Sequence, residues 1–221
     1  MEFPIGGILR KLRQSRCDSG SDGKSPDERN EVFELNNVSK RTSSLTKMGV
    51  LAAVSIVLVA VIHVPIIPAV SFLEYDPADI PILLGTFALG PVAGLVLTVI
   101  VSVIQGMTVS AASSWYGIVM HIIATGAYVI IAGNIYARKK TKMNAIIALV
   151  CGTLAMAVVM IPANLALTPV YLQMVGVPAE AALPTVKGLL GWIILFNVIK
   201  AGINSVVTFL VYKRVSGLLH R

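Results

Sequence analysis

The chain has 221 residues, of which 56% are hydrophobic and 13% charged, and a mean hydropathy of +0.81. That make-up excludes an ordinary soluble domain. The formal charge of +7 is gathered in basic clusters beside charge-free stretches, as in the cytoplasmic loops of membrane proteins, so no nucleic-acid partner is expected.

Residues 1–44 mix Ser, Asp, Gly, Glu, Lys and Asn without an apolar period, which predicts a disordered cytoplasmic leader. Its opening "FPIGGILRKLRQ" is read as unstructured in preference to a basic turn on the membrane surface. It holds no signal-peptide apolar core, so the first hydrophobic segment is expected to stay in the membrane. After it, residues 48–73, 80–137 and 143–179 contain no Asp, Glu, Lys or Arg; apolar runs of roughly 18 residues or more read as spanning helices. No alternation with a period of two points to a barrel. Cys17 in the leader and Cys151 in an apolar stretch support neither a disulfide framework nor a metal cage.

Breakers divide the membrane domain, residues 45–214. Span one covers about residues 45–66 and ends at Pro65 and Pro68. A loop follows, "VSFLEYDPADIP", with Glu74, Asp76 and Asp79. Short span two, about 78–89, is split by Gly90-Pro91 from span three, about 91–104. After the loop "MTVSAASSW" come span four, about 115–136, span five, about 144–167, and span six, about 189–211, with a cytoplasmic tail at 215–221. Parity supports the short second span: with it, the cluster Arg138, Lys139, Lys140 and Lys142 falls on the same side as Lys40, Arg41, Lys47, Lys213 and Arg214. The expected fold is therefore an all-α membrane protein with six transmembrane helices and both termini cytoplasmic.

Polar residues inside the spans carry the functional signal. Lys200 stands alone among uncharged residues from Gly188 to Tyr212, and a lysine near the bilayer centre costs about 2.5–3.5 kcal/mol on insertion scales. Asn197 and Asn204 share its helical face, and Asn164 lies in span five. With Glu74, Asp76, Asp79 and Glu180 assigned to outer loops, no carboxylate is expected to neutralise Lys200, so a bound solute or carbonyl oxygens must. Asn204 by itself is read as helix–helix adhesion. His63 and His121 are read as ordinary half-buried histidines and not as metal ligands. No paired acids or nucleophile elbow suggest catalysis. In span one, Gly49, Ala52 and Ala53 are small residues at near-helical spacing, and Gly49 and Ala53 let another helix approach closely.

These residues, with "FLEYDPADIPILLGTFALGPVAGLVLTVI", "IPANLALTPVY" and "NVIK", resemble the substrate-binding S components of energy-coupling factor (ECF) transporters, and within them the riboflavin-specific branch. The resemblance covers about residues 47–214. It implies capture of riboflavin from outside in a pocket of spans four to six, capped by the loop after span one. It implies as partners a transmembrane coupling protein and two ATPases of the ATP-binding-cassette kind, the chain itself being no enzyme and holding no cofactor. Asn164, Asn197 and Lys200 would contact the isoalloxazine edge, with Tyr171, Trp192 or Phe196 as stacking partners. Leu73, Tyr75, Asp76 and Asp79 would form the gate, and Gly49, Ala52 and Ala53 would face the coupling protein. The alternatives are the same architecture for folate, thiamine or a queuosine precursor, thiamine being disfavoured as a cation beside Lys200, and an autonomous small-solute transporter.

Overall fold

The first helix begins well inside the polar leader. In the computed structural model, which describes residues 26–70, 73–109 and 114–219, α1 runs Pro26–Val61 over 36 residues. A proline at the head of a helix lacks only an N–H that the first turn leaves unbonded anyway, and the Glu, Leu, Lys and Arg that follow are good helix formers. Residues 26–44 are thus helical where composition predicts disorder; residues 1–25 and the "FPIGGILRKLRQ" stretch lie outside the described residues. The chain divides into two units after Ser43, and the elements below belong to the second.

α1 stops at Val61, short of the expected 66. The chain beyond it is a folded flap and not an open loop. β1 (Val64–Pro65) pairs antiparallel with β2 (Glu74–Tyr75), with Val64 opposite Tyr75 and Pro65 opposite Glu74. A 3-10 turn at Pro68–Val70 lies between them. Prolines suit such an edge because they have no N–H to donate to a further strand. A contact of His63 Nε2 with Glu74 Oε2, 2.8 Å, ties the strands side to side. Below, Ile67 and Val70 pack on Val186, Ile193 and Phe196 of the last helix, so the flap has its own apolar floor.

α2 (Asp79–Leu89) and α3 (Pro91–Met107) are separated by Gly90 alone. Its φ of +101° is one that only glycine adopts readily. Its N–H donates to Thr86 O at 2.9 Å, closing α2, and Pro91 then opens α3. α4 (Ser114–Arg138) is followed by α5 (Lys142–Met174), whose N-cap Thr141 accepts from the Asn144 N–H, and by α6 (Ala179–Leu219). Both α5 and α6 exceed the expected spans, running through Pro169 and Pro184, while Pro162 lies inside α5 without ending it. The break comes at Gly176, φ +99°. There the Gly176 N–H bonds Gln173 O at 3.1 Å and the Val177 N–H bonds Leu172 O at 2.9 Å, the paired closure that a left-handed glycine gives a helix end.

Four helical stretches are long and apolar enough to cross a membrane: Phe33–Val61, Trp115–Arg138, Lys142–Met174 and Ala179–Arg214. α2 and α3, at 11 and 17 residues, fall short of the roughly 20 that a full crossing needs. α4 packs between α3 and α5, α6 packs on α5, and α2 fits among α3, α4 and α6. Tyr128, Phe87, Leu97 and Met156 are among the buried residues of this core, while Val150, Leu154 and Val158 of α5 face outward. An apolar exterior around an apolar core is what a bilayer solvates and water does not.

Candidate functional site

Asp76 lies between β2 and α2, at the turn where the chain enters the bundle. Its Oδ1 accepts the Ala78 N–H at 3.1 Å, stabilising the turn into α2. Its Oδ2 accepts from Lys200 Nζ at 2.8 Å and from Gln105 Nε2 at 3.3 Å. Asp76 is 3% exposed and Lys200 6%, so this is a buried, charge-assisted contact joining the flap, α3 and α6. Burial pushes the Asp76 carboxyl up, but the Lys200 ammonium outweighs it and holds the group below the ordinary carboxylate range.

That pairing corrects the expectation drawn from sequence. Lys200 is neutralised by its own chain. The physical reason is the turn at residues 76–78: α2 starts inside the bundle, so Asp76 and Asp79 are carried inward with it, while Glu74 stays at the rim. Asp79 is fully buried; its Oδ1 accepts from Thr125 Oγ1 at 2.7 Å and its Oδ2 from Asn204 Nδ2 at 3.0 Å. Asn204 Nδ2 also reaches Asp76 O at 3.3 Å, and its Oδ1 accepts from Tyr75 OH at 3.0 Å. One amide thus ties the flap and the head of α2 to α6, which makes Asn204 an adhesion residue.

Beside this network lies a cavity between flap and bundle, with about 750 Å³ of empty space counted through its open mouth. Leu73, Asp76 and Glu74 come from the flap side; Asn197, Lys200 and Phe196 come from α6; Met156 and Met160 from α5; Gln105 and His121 from α3 and α4. The lining surface is mostly apolar with convergent polar groups, the make-up of a site for a partly polar organic molecule.

Of the residues singled out from sequence, Leu73, Asp76, Asn197 and Lys200 line the cavity, and Asn164, Tyr75 and Asp79 do not. Asn197 is anchored through Nδ2 to Ile193 O at 2.8 Å. Asn164 Nδ2 donates to Met160 O at 2.8 Å, and its Oδ1 accepts from Thr168 Oγ1 at 3.0 Å. Thr168 in turn bonds Tyr116 OH at 2.8 Å, and Tyr116 does line the cavity. Asn164 therefore sits one layer behind the wall. Among the three aromatic candidates, Phe196 lines the cavity, Tyr171 stacks on Tyr116 with centroids 4.3 Å apart, and Trp192 is exposed. In α1, Gly49 and Ala53 are exposed and Ala52 is buried at 8%, so the three small residues do not share one face. Ala52 packs inward near Ser55, whose Oγ donates to Ala78 O at 3.1 Å.

Gln105, His121 and Tyr116 were missed as cavity residues. Gln105 carried the same signal as Lys200, a strongly polar side chain in an apolar helix, and Thr98, Ser102 and Gln105 share one helical face. His121, weighed with His63 only for metal binding, has its Nδ1 2.7 Å from Ser102 Oγ and its Nε2 3.4 Å from Asp79 Oδ1. Among the described residues no three metal-ligating side chains converge.

A family model described as "ECF transporter, substrate-specific component" matches residues 43–212. The chain is 29% identical over 126 residues to the riboflavin transporter RibU of Lactococcus lactis, a stretch that spans 61% of that relative. It is 27% identical over 184 residues to the riboflavin transporter RibU of Staphylococcus aureus, covering 82% of this chain and 95% of the relative. A solved structure of the S component of a bacterial ECF transporter superposes with a TM-score of 0.67 at 26% identity, covering 82% of this chain and 99% of that one.

Proposed function

Because the chain belongs to the family of ECF transporter substrate-specific components, which are transport subunits and not enzymes, we propose that its cavity captures riboflavin from outside the cell. The observation that carries this reading is the position of Lys200. Asp76 takes one of its hydrogen bonds, an ammonium has three to give, and Lys200 lines the cavity beside Asn197 and Phe196. Riboflavin presents a flat ring with carbonyl oxygens along one end and an uncharged polyol chain. Hydrogen bonds to a charged donor contribute about 1.5–3 kcal/mol each, and the ring's faces suit Phe196, Met156 and Met160. The relatives named for riboflavin transport support this choice of solute.

In this reading the bundle lies in the cell membrane with both termini inside, and α2 and α3, each shorter than a full crossing, count as two of its six passes. The flap then faces out. Leu73 closes over the solute, while Tyr75, Asp76 and Asp79 hold the flap's root. Release inward needs an energising module, a coupling protein and two ATPases, with the exposed Gly49–Ala53 face of α1 as the docking surface. Quenching of flavin fluorescence by the purified chain is the direct test: saturable quenching by riboflavin, unaffected by excess thiamine or folate, is expected. Competition by thiamine or folate, or uptake into vesicles by the chain without ATPases, would favour another solute or a free-standing transporter.

A further inference from the structure

We infer that the end of the bundle opposite the flap holds a second binding site, for the headgroup of an anionic phospholipid. α2 leads from Asp79, beside the flap, to Leu89, and α4 leads from Tyr116, which lines the first cavity, to Arg138. At their far ends lies a separate hollow with about 360 Å³ of empty space counted through its open mouth. Phe87, Leu89 and Ala137 give it apolar walls, and Lys140 brings a cation to it. The walls are held in place. A Cβ built at Gly133 of α4 would collide with Pro91 and Thr86, so α4 presses directly on the α2–α3 turn. The rings of Phe87 and Tyr136 pack with centroids 4.5 Å apart. Lys140 stands in a short link, where the Thr141 N–H donates to Lys139 O at 2.9 Å and Thr141 then caps α5.

Charge selects the head of the occupant. Arg138, Lys139, Lys140 and Lys142 are all exposed, and among the described residues none of them pairs with a carboxylate. From residue 44 onward the acidic side chains are Glu74, Asp76, Asp79 and Glu180. The first three lie in or beside the flap, and Glu180 opens α6 just before Val186, which packs under the flap. The bundle therefore supplies no acid at the far end. A basic cluster alone only orients a membrane protein; this one overhangs a hollow. The apolar walls select the body of the occupant. A free phosphate would leave them uncovered, whereas the glycerol and upper acyl carbons of a lipid would be buried there. Just beyond Gly90, Val92 and Val96 share one face of α3 and are exposed, so apolar surface for the acyl chains continues along the helix. Each Lys or Arg near the membrane surface favours an anionic lipid by about fivefold.

The test titrates the full chain, purified in neutral detergent, with phosphatidylglycerol or with phosphatidylcholine of the same acyl chains, and counts lipid retained per chain by native mass spectrometry. The wild type is expected to retain one phosphatidylglycerol at least about tenfold more tightly than phosphatidylcholine. Lys140→Gln should weaken phosphatidylglycerol by about fivefold, and Ala137→Phe, which fills the hollow and keeps the charge, should weaken it at least as much. Lys142 belongs to the cluster but does not line the hollow, so Lys142→Gln should stay within about twofold of the wild type. Equal wild-type retention of the two lipids overturns the site however the variants behave. Equal losses in Lys140→Gln and Lys142→Gln, or unchanged retention in Ala137→Phe, also overturn it, since charge spread over the surface would give those results. Displacement of the lipid by excess inorganic phosphate would make a soluble anion the ligand and overturn the lipid assignment. The site needs only a bundle that sits in a membrane, so a wild type that fails to bind riboflavin and still retains phosphatidylglycerol removes the riboflavin reading alone.

Discussion

Lys200 and Asp76 hold each other in a place where neither is tolerated alone. Removing one partner of a buried pair typically costs about 3–5 kcal/mol, because the other charge is left unpaired, while removing both is far milder. Lys200→Met and Asp76→Asn should therefore each lower thermal stability in detergent. The double variant should recover most of that loss and still bind riboflavin poorly. Recovery of binding along with stability would show that the ammonium serves the fold alone. Acid behaviour follows from the same pair. Asp76 is held below its unfolded value, near 3.9 in model peptides (roughly), so its contribution is full above about pH 4 and is lost as pH falls through the lower folded value. Asp76→Asn should flatten that acid limb; an unchanged limb would assign it to other carboxylates. At this scale the sequence was half legible. A cation in an apolar helix announces itself, but its partner lies 124 residues away, and nothing in local pattern says that a loop carboxylate folds inward.

At the scale of elements, breakers were informative at Gly90-Pro91, where one helix ends and the next begins, and uninformative inside the long last two helices. Gly90 was read as a boundary and is one. Span five is expected to end near residue 167, yet α5 runs through Pro162 and Pro169 to Met174, since neighbouring helices supply the packing that the missing hydrogen bonds do not. Close helix approach was legible only in part. A Cβ built at Gly152 of α5 would collide with the ring of the buried Tyr128 of α4, a contact that forces something to shift. Gly152→Leu should destabilise the chain by about 1–3 kcal/mol or more, read as a lower unfolding temperature, and an unchanged midpoint would mean that α4 and α5 are less tightly apposed. The Gly49–Ala53 face behaves differently. Gly49 has nothing within 4 Å of a built Cβ, so Gly49→Leu should leave riboflavin binding intact. If this face docks on a coupling protein, the same variant should reduce ATP-driven uptake in the reconstituted transporter; normal uptake would place docking elsewhere.

For the molecule as a whole, hydropathy pointed to the class, because long charge-free segments leave few alternatives to a helical bundle, while the short α2 and α3 were read from breakers and charge parity. It did not reveal the flap, whose two-residue strands are too short to carry a pattern, nor the cavity, which exists only where the flap, α3, α4, α5 and α6 meet. In the proposed reading, the buried Lys200–Asp76 pair and the Asp79–Asn204 contacts hold a flap over a hollow that a flavin completes. The most direct test is to extract the chain gently from riboflavin-supplied cells, denature it and identify the released solute by mass spectrometry. The account predicts riboflavin at about one molecule per chain from the wild type, and little or none from the Lys200→Met/Asp76→Asn variant; a wild-type chain that releases no flavin, or releases a different solute at that ratio, contradicts it.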